Sequence, residues 1–210
     1  MINRLKKYLA FIFILTCGTL LSQEKNKANI DNYLSEKFSL NNSQYQIKSS
    51  VETNPNYDVY YVQQKFNNLE IHNAISTMSI KDGEIKSYND RFVDESYGKS
   101  SLLEPKIDSY LAIDQALNEL NIREFKNSTD GWTHTNINNI ESKLIYVNKD
   151  GNLLLAWNFN VITTDHKNWY DIFVSADNGE ILKTENWMIN CEFDKDGNHT
   201  CLLYTSPSPR

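Results

Sequence analysis

Short apolar runs separated by polar turns cover most of this chain, and the spacing of those runs predicts its elements. Asp58-Val59-Tyr60-Tyr61-Val62-Gln63-Gln64-Lys65-Phe66 is β-branched and aromatic, so it reads as a strand, with Asn67-Asn68 as its turn. A second strand follows over Ile71–Ile80. There Ile71, Asn73, Ile75, Thr77 and Ser79 share one face, while Ala74, Ser76, Met78 and Ile80 share the other. Because that alternation is imperfect, burial on both faces is expected. Asp82-Gly83 then leads into Glu84-Ile85-Lys86-Ser87-Tyr88, a local hairpin signal, and a three-stranded antiparallel meander results. A short helix over Asn32–Phe38 precedes it, followed by a polar break at Ser39–Ser43.

The period changes after a polar connection at Ser96–Ser101. Ile107, Leu111, Ile113, Ala116, Leu117 and Leu120 recur at helical spacing, with Asp108 as N-cap, an acid-rich start and Arg123 near the end to suit the helix dipole. Beyond a polar loop around Asn127–Trp132 come strands at Ser142–Val147, Leu153–Ile162 and Trp169–Ser175, and a return strand at Glu180–Lys183. The hairpins Lys81-Asp82-Gly83-Glu84-Ile85 and Asp177-Asn178-Gly179-Glu180-Ile181 echo each other, as in a duplicated unit. The expected fold class is α+β, two helix-on-antiparallel-sheet modules in tandem.

Both ends stand apart from this pattern. Arg4, Lys6 and Lys7 precede a largely apolar run from Tyr8 to Leu21, closed by Ser22 and Gln23, which is the arrangement of a cleaved signal peptide over residues 1–22. A bilayer-spanning helix needs roughly 20 apolar residues, more than this run supplies. Export therefore outranks anchoring. A lipid anchor at Cys17 would want small residues before it, and Ile14, Leu15 and Thr16 are a poor match. At the other end, Cys201–Arg210 brings two prolines into ten residues, where the whole preceding chain holds only Pro55 and Pro105. That stretch is similar to the conceptual translation of a sequencing adapter. A natural Pro/Ser linker is the other reading.

Composition narrows the function classes. Without the three cations of residues 1–22 and Arg210, the net charge moves from −6 to −10 over Gln23–Thr200, which argues against nucleic acid or an anionic membrane as partner. Of the three cysteines only Cys191 lies outside the two end segments, so packing rather than an internal disulfide is expected to hold the fold.

Within this frame, Tyr61-Val62-Gln63-Gln64-Lys65-Phe66-Asn67-Asn68-Leu69-Glu70-Ile71-His72-Asn73-Ala74 resembles the FTP module, the fungalysin/thermolysin propeptide motif. In that family a Tyr-x-Gln-Gln strand passes through a tight turn, usually Asn-Gly, into an apolar strand; here Asn68 stands where the glycine is usual. The second module resembles a PepSY-like propeptide unit, through Ala112–Leu120 and the closing Trp169–Leu182 hairpin, and Glu185–Cys191 is similar to the segment that leads out of such propeptides. The organisation this implies is a signal peptide (1–22), an FTP-like module (23–98), a PepSY-like module (99–190), the start of a linker (191–200) and the tail (201–210).

The resemblance implies a secreted inhibitor and folding aid for a zinc metallopeptidase, docked in cis on a catalytic domain that is not in this sequence. Zinc would belong to that domain. A free-standing exported inhibitor or binding protein built from the same modules is the alternative. An enzyme is not expected: a helical His-Glu-x-x-His is absent, and His72, His134, His166 and His199 lie far apart. Asp82 with Glu84, and Asp177 with Glu180, flank glycine turns and read as turn formers rather than as a catalytic pair. Asp194-Lys195-Asp196-Gly197-Asn198 is like the start of a calcium loop, without the later glutamate.

Five residues are the candidate motif and interface positions: Tyr61, Gln63, Gln64, Asn73 and Trp187. For Gln63, Gln64 and Asn73 two roles stay open, contact with the protease or the second module, and hydrogen bonding that fixes the Asn67-Asn68 turn. Trp157, Trp169 and Trp187 read as core anchors, with Trp187 the best candidate of the three for interface contact because it lies near the exit from the second module.

Overall fold

A computed structural model describes residues 25–54, 57–94, 101–126, 133–188, 192–193 and 199–200. The signal segment, the tail, Cys191, the Asn127–Trp132 loop and the calcium-like stretch Asp194–Asn198 lie outside those residues. The fold is α+β, and the chain divides into two compact units, residues 1–96 and 97–210. Among the described residues no helix is long and apolar enough to cross a membrane.

The first unit places helix α1 (25–38) on an antiparallel sheet of β1 (Tyr45–Asn54), β2 (Tyr57–Phe66), β3 (Leu69–Lys81) and β4 (Glu84–Asn89), paired in chain order. One turn apart, Ile30 and Leu34 on α1 close over Tyr60, Val62, Met78 and Ile80, all buried. The helix is longer than the sequence predicted, and the meander has four strands rather than three. β1 was missed because Gln46, Lys48, Ser49 and Ser50 leave it almost without apolar signal; it is an edge strand, bulged at Lys48, where polar side chains face water.

Two-residue turns join these strands. Asn67 (φ 47°) and Asn68 (φ 63°) link β2 to β3, and Asp82 (φ 53°) and Gly83 (φ 80°) link β3 to β4, the backbone that suits the twist of a hairpin. Asparagine enters the left-handed region more readily than most residues, so Asn68 replaces the usual glycine without breaking the turn.

The second unit repeats the plan. Helix α2 (Ser109–Glu119) lies on β7 (Ser142–Lys149), β8 (Asn152–Thr163), β9 (Trp169–Ser175) and β10 (Ile181–Asn186), again antiparallel and in chain order. Two short strands, β5 (Phe125–Lys126) and β6 (Thr133–His134), pair with each other, and β5 pairs with the end of β8. Ala112, Ile113, Ala116 and Leu117 pack on Phe125, Phe159, Val161, Ile172 and Val174. The Asp108 carboxylate caps α2 by accepting from the Leu111 N–H at 2.8 Å. The expected dipole charges are absent: the first turn holds no acid and the last no base, because the helix stops at Glu119, short of Arg123. A two-residue ladder joins β11 (Glu192–Phe193) to β12 (His199–Thr200).

Candidate functional site

The four motif residues of the first unit surround a break in the β2–β3 ladder. Gln63 pairs with Ile75 and Lys65 with Glu70, so β3 carries extra residues over 71–74, a bulge in the ladder. Gln63 supplies a donor there. Its buried Nε2 lies 2.7 Å from the Ile71 carbonyl, 3.2 Å from that of Ala74 and 2.8 Å from that of Gln64. Asn73 sits inside the bulge at φ 60°, with an exposed side chain, and its left-handed backbone moves β3 from one alternation to another. Ile71, Ala74, Ser76, Met78 and Ile80 are therefore all buried, while Ile75 is 37% exposed. The expectation of burial on both faces is corrected here: the strand switches phase once and then buries one face.

Gln64 does a different job. Its Nε2 donates to the Val93 carbonyl at 2.8 Å and its Oε1 accepts from the Val93 N–H at 2.7 Å, so one side chain imitates a neighbouring strand. Ser76 Oγ accepts from the Arg91 N–H at 2.9 Å, and Phe92 packs its ring against Phe38 and Tyr88. Residues 90–94 are thereby tied down along the first unit. Sequence reading missed Ser76, whose small polar side chain amid apolar neighbours was the available signal. Tyr61 is half-buried on β2, in register with Ser49 and Thr77. The amide bonds of Gln63 and Gln64 thus serve the bulge and the 90–94 segment, not the Asn67-Asn68 turn itself.

The aromatic residues beside Phe92 hold a cation. Lys37 Nζ lies 4.7 Å from the Tyr88 ring centre, 5.3 Å from Phe38 and 5.4 Å from Tyr33, and donates to the Tyr33 hydroxyl at 3.0 Å. Burial pushes the Tyr88 hydroxyl well above the usual phenol range.

In the second unit Trp187 follows the last strand. Its N–H donates to the Trp169 carbonyl at 2.8 Å, and Asn186 Oδ1 accepts from the N–H groups of Trp169 and Met188, each at 3.0 Å. Those bonds fix the backbone on both sides of the indole. The Trp187 ring stands 5.5 Å from the Trp169 ring, tilted by 55°, and the residue remains 50% exposed. The structure therefore gathers Tyr61, Gln63, Gln64 and Asn73 on β2 and β3 and sets Trp187 apart in the other unit.

No protein-family profile matches this chain, and neither does any curated protein. Among solved structures it is similar to the C-terminal domain of YpeB from Bacillus megaterium, at 18% identity over 78% of this chain and 64% of that one, with a TM-score of 0.38. The chain thus spans about 64% of the length of that domain. It is also similar to a candidate lipoprotein from Clostridium difficile 630, at 18% identity over 74% of this chain and 88% of that one, with a TM-score of 0.27. At these scores neither likeness adds to what the strands and helices show directly.

Of the four acidic turn residues, Asp82, Glu84, Asp177 and Glu180, the last three are engaged in ion pairs. Asp177 bonds Lys106 at 2.6 Å, Glu180 bonds Lys149 at 3.6 Å, and Glu84 bonds Lys86 at 2.5 Å. Among the described residues, no group of three or more His, Cys, Asp and Glu side chains comes together as metal ligands would. The arrangement presents a half-exposed indole on a hydrogen-bonded backbone in one unit and an amide-braced sheet in the other.

Proposed function

We propose that this chain is the inhibitory and folding-assisting propeptide of a secreted zinc metallopeptidase, acting in cis on a catalytic domain that carries the zinc. The supporting observation is Trp187: a large aromatic anchor, backbone-fixed, its ring tilted against that of Trp169, and half exposed where β10 ends. Such anchors dominate binding energy at protein interfaces because they desolvate much area at little entropic cost. The FTP-like motif supports the same reading, with Gln63 and Gln64 acting as architecture that holds the module in shape. A binder of the folded protease stabilises it by mass action, and a covalent tether raises its effective concentration.

The test is inhibition in trans. Gln23–Thr200 added to the mature parent protease should slow it at micromolar concentration or below, and Trp187→Ala should weaken inhibition by roughly thirtyfold, a hot-spot loss of about 2 kcal/mol. A protease left at full rate by micromolar propeptide sinks this reading.

A further inference from the structure

A row of polar side chains that the proposed function does not use runs across β8, β9 and β10, the strand that leads to Trp187. Asn160 on β8 pairs in register with Asp171 on β9, and Asp171 with Glu185 on β10, so the three side chains share one face of the sheet. Asp171 is only 5% exposed. Asn158 Nδ2 donates to its Oδ1 at 2.5 Å and also lies 3.3 Å from the Ile172 carbonyl. Directly opposite, Asn160 Oδ1 is buried and has no hydrogen-bond donor. An ionised carboxylate only accepts, so it cannot serve that oxygen; a neutral carboxyl carries one O–H and can.

We propose that Asp171 is a proton-operated latch on the β8–β9–β10 sheet: its neutral carboxyl accepts from Asn158 and donates to Asn160, and loss of its proton to water breaks the second bond and sets two carboxylates against each other across β9 and β10. The charged groups facing Asp171 are Glu185 and Lys183 from β10 and Lys143 from β7. Lys183 also bonds Glu185, at 2.6 Å. Burial, with Glu185 adding to it, holds the Asp171 carboxyl above the ordinary carboxylate range, against the opposing pull of Asn158 and the two lysines.

The sign follows from linkage. A carboxyl whose folded-state value is raised binds more protons folded than unfolded between the two values. Stability is therefore greatest below the ordinary carboxylate range and falls as pH rises through the window up to the raised value. On the reading proposed above, which this regulation extends, the latch sits on β9, paired with the strand that presents Trp187. Acid would hold that strand closed and a rise in pH would loosen it.

The experiment needs no protease, so it fails or succeeds independently of the propeptide reading. In the full chain, the side-chain carbons of labelled aspartates are followed by NMR from acid to mildly alkaline pH, alongside amide exchange in β10. Asp171 should titrate above the ordinary aspartate range, and β10 protection should rise by up to about tenfold per pH unit on acidification through the window. Asp171→Asn, whose amide can donate to Asn160, should hold β10 at its acid-state protection at every pH. Asn160→Ala should lower the Asp171 midpoint toward the ordinary range. Titration of Asp171 within that range, as when a water donates to a stable carboxylate, overturns the latch, and so does a midpoint untouched by Asn160→Ala. Should Asn160→Ala not fold, the Asp171→Asn exchange profile decides: continued pH dependence in β10 refutes the proposal.

Discussion

The two units share a plan and differ in how they keep polar groups inside it. Each lays a helix on an antiparallel meander and closes with a glycine hairpin that the helix touches: Asn29 donates to the Gly83 carbonyl in the first, and the Gln115 side chain lies over Gly179 in the second. In the first unit the polar group amid the sheet is an amide, Gln63, whose one nitrogen faces three carbonyls. In the second it is a carboxyl, Asp171, which accepts from Asn158 and lies across from Asn160, whose Oδ1 has no donor. An amide satisfies its surroundings at any pH; a carboxyl does so only in one protonation state. The same architecture thus places an amide that does not titrate in one sheet and a carboxyl that does in the other.

Loss of the Gln63 amide should destabilise the first unit more than any other single change considered. Gln63→Leu keeps a side chain of similar size and deletes the donor, so the bulge carbonyls of Ile71 and Ala74 lose their bonds to the buried amide. Each such loss costs roughly 1–3 kcal/mol, so about 3 kcal/mol in total is expected by urea denaturation. A loss below about 1 kcal/mol would mean that the bulge relaxes or hydrates, and the amide would then be dispensable.

That bulge also shows what was legible in the sequence. Strand positions followed from alternation and turn residues, and Trp169–Ser175 was placed to the residue. β1 was not legible, since an edge strand buries too little apolar surface to leave a pattern. Nor was the role of the Gln-Gln pair. Its bonds run to Ile71, Ala74 and Val93, 8 to 29 residues away, and local spacing carries no signal of that. Asn73 confused the reading of β3 for a related reason: nothing in its neighbours announces a left-handed residue inside a strand. Likewise Asp171 looked like one more polar residue in a strand, because burial by tertiary packing is what gives it chemistry.

A middle-sized effect compares the two hairpin glycines. Both have positive φ, Gly83 at 80° and Gly179 at 83°, so a side chain at either is strained by roughly 1–2 kcal/mol. Their surroundings differ. A Cβ at Gly179 would stand 1.6 Å from Gln115 Oε1, whereas at Gly83 the nearest atom is Lys25 Cε, 3.1 Å away at the end of a flexible chain. Gly179→Ala should therefore cost about 1 kcal/mol more than Gly83→Ala, and Gln115→Ala in the same chain should recover that excess. Equal costs at the two glycines, with no recovery, would show that the helix in the second unit simply moves aside.

The smallest effect sharpens the comparison at Asn68. With φ at 63° it occupies the place where the FTP-like pattern usually has glycine. Glycine would relieve the residual strain of a left-handed asparagine, yet it would also loosen the unfolded chain, and each term is worth about 0.5–1 kcal/mol. Asn68→Gly should thus leave the denaturation midpoint nearly unchanged, within about 0.5 kcal/mol. Asn68→Ala, lacking both the freedom of glycine and the local polar contacts open to asparagine, should cost about 1 kcal/mol. Stabilisation by more than that on Asn68→Gly would place real strain in the β2–β3 turn. Gln63 would then be holding the bulge beside it against the turn, and the two sites would cease to add independently in the double variant.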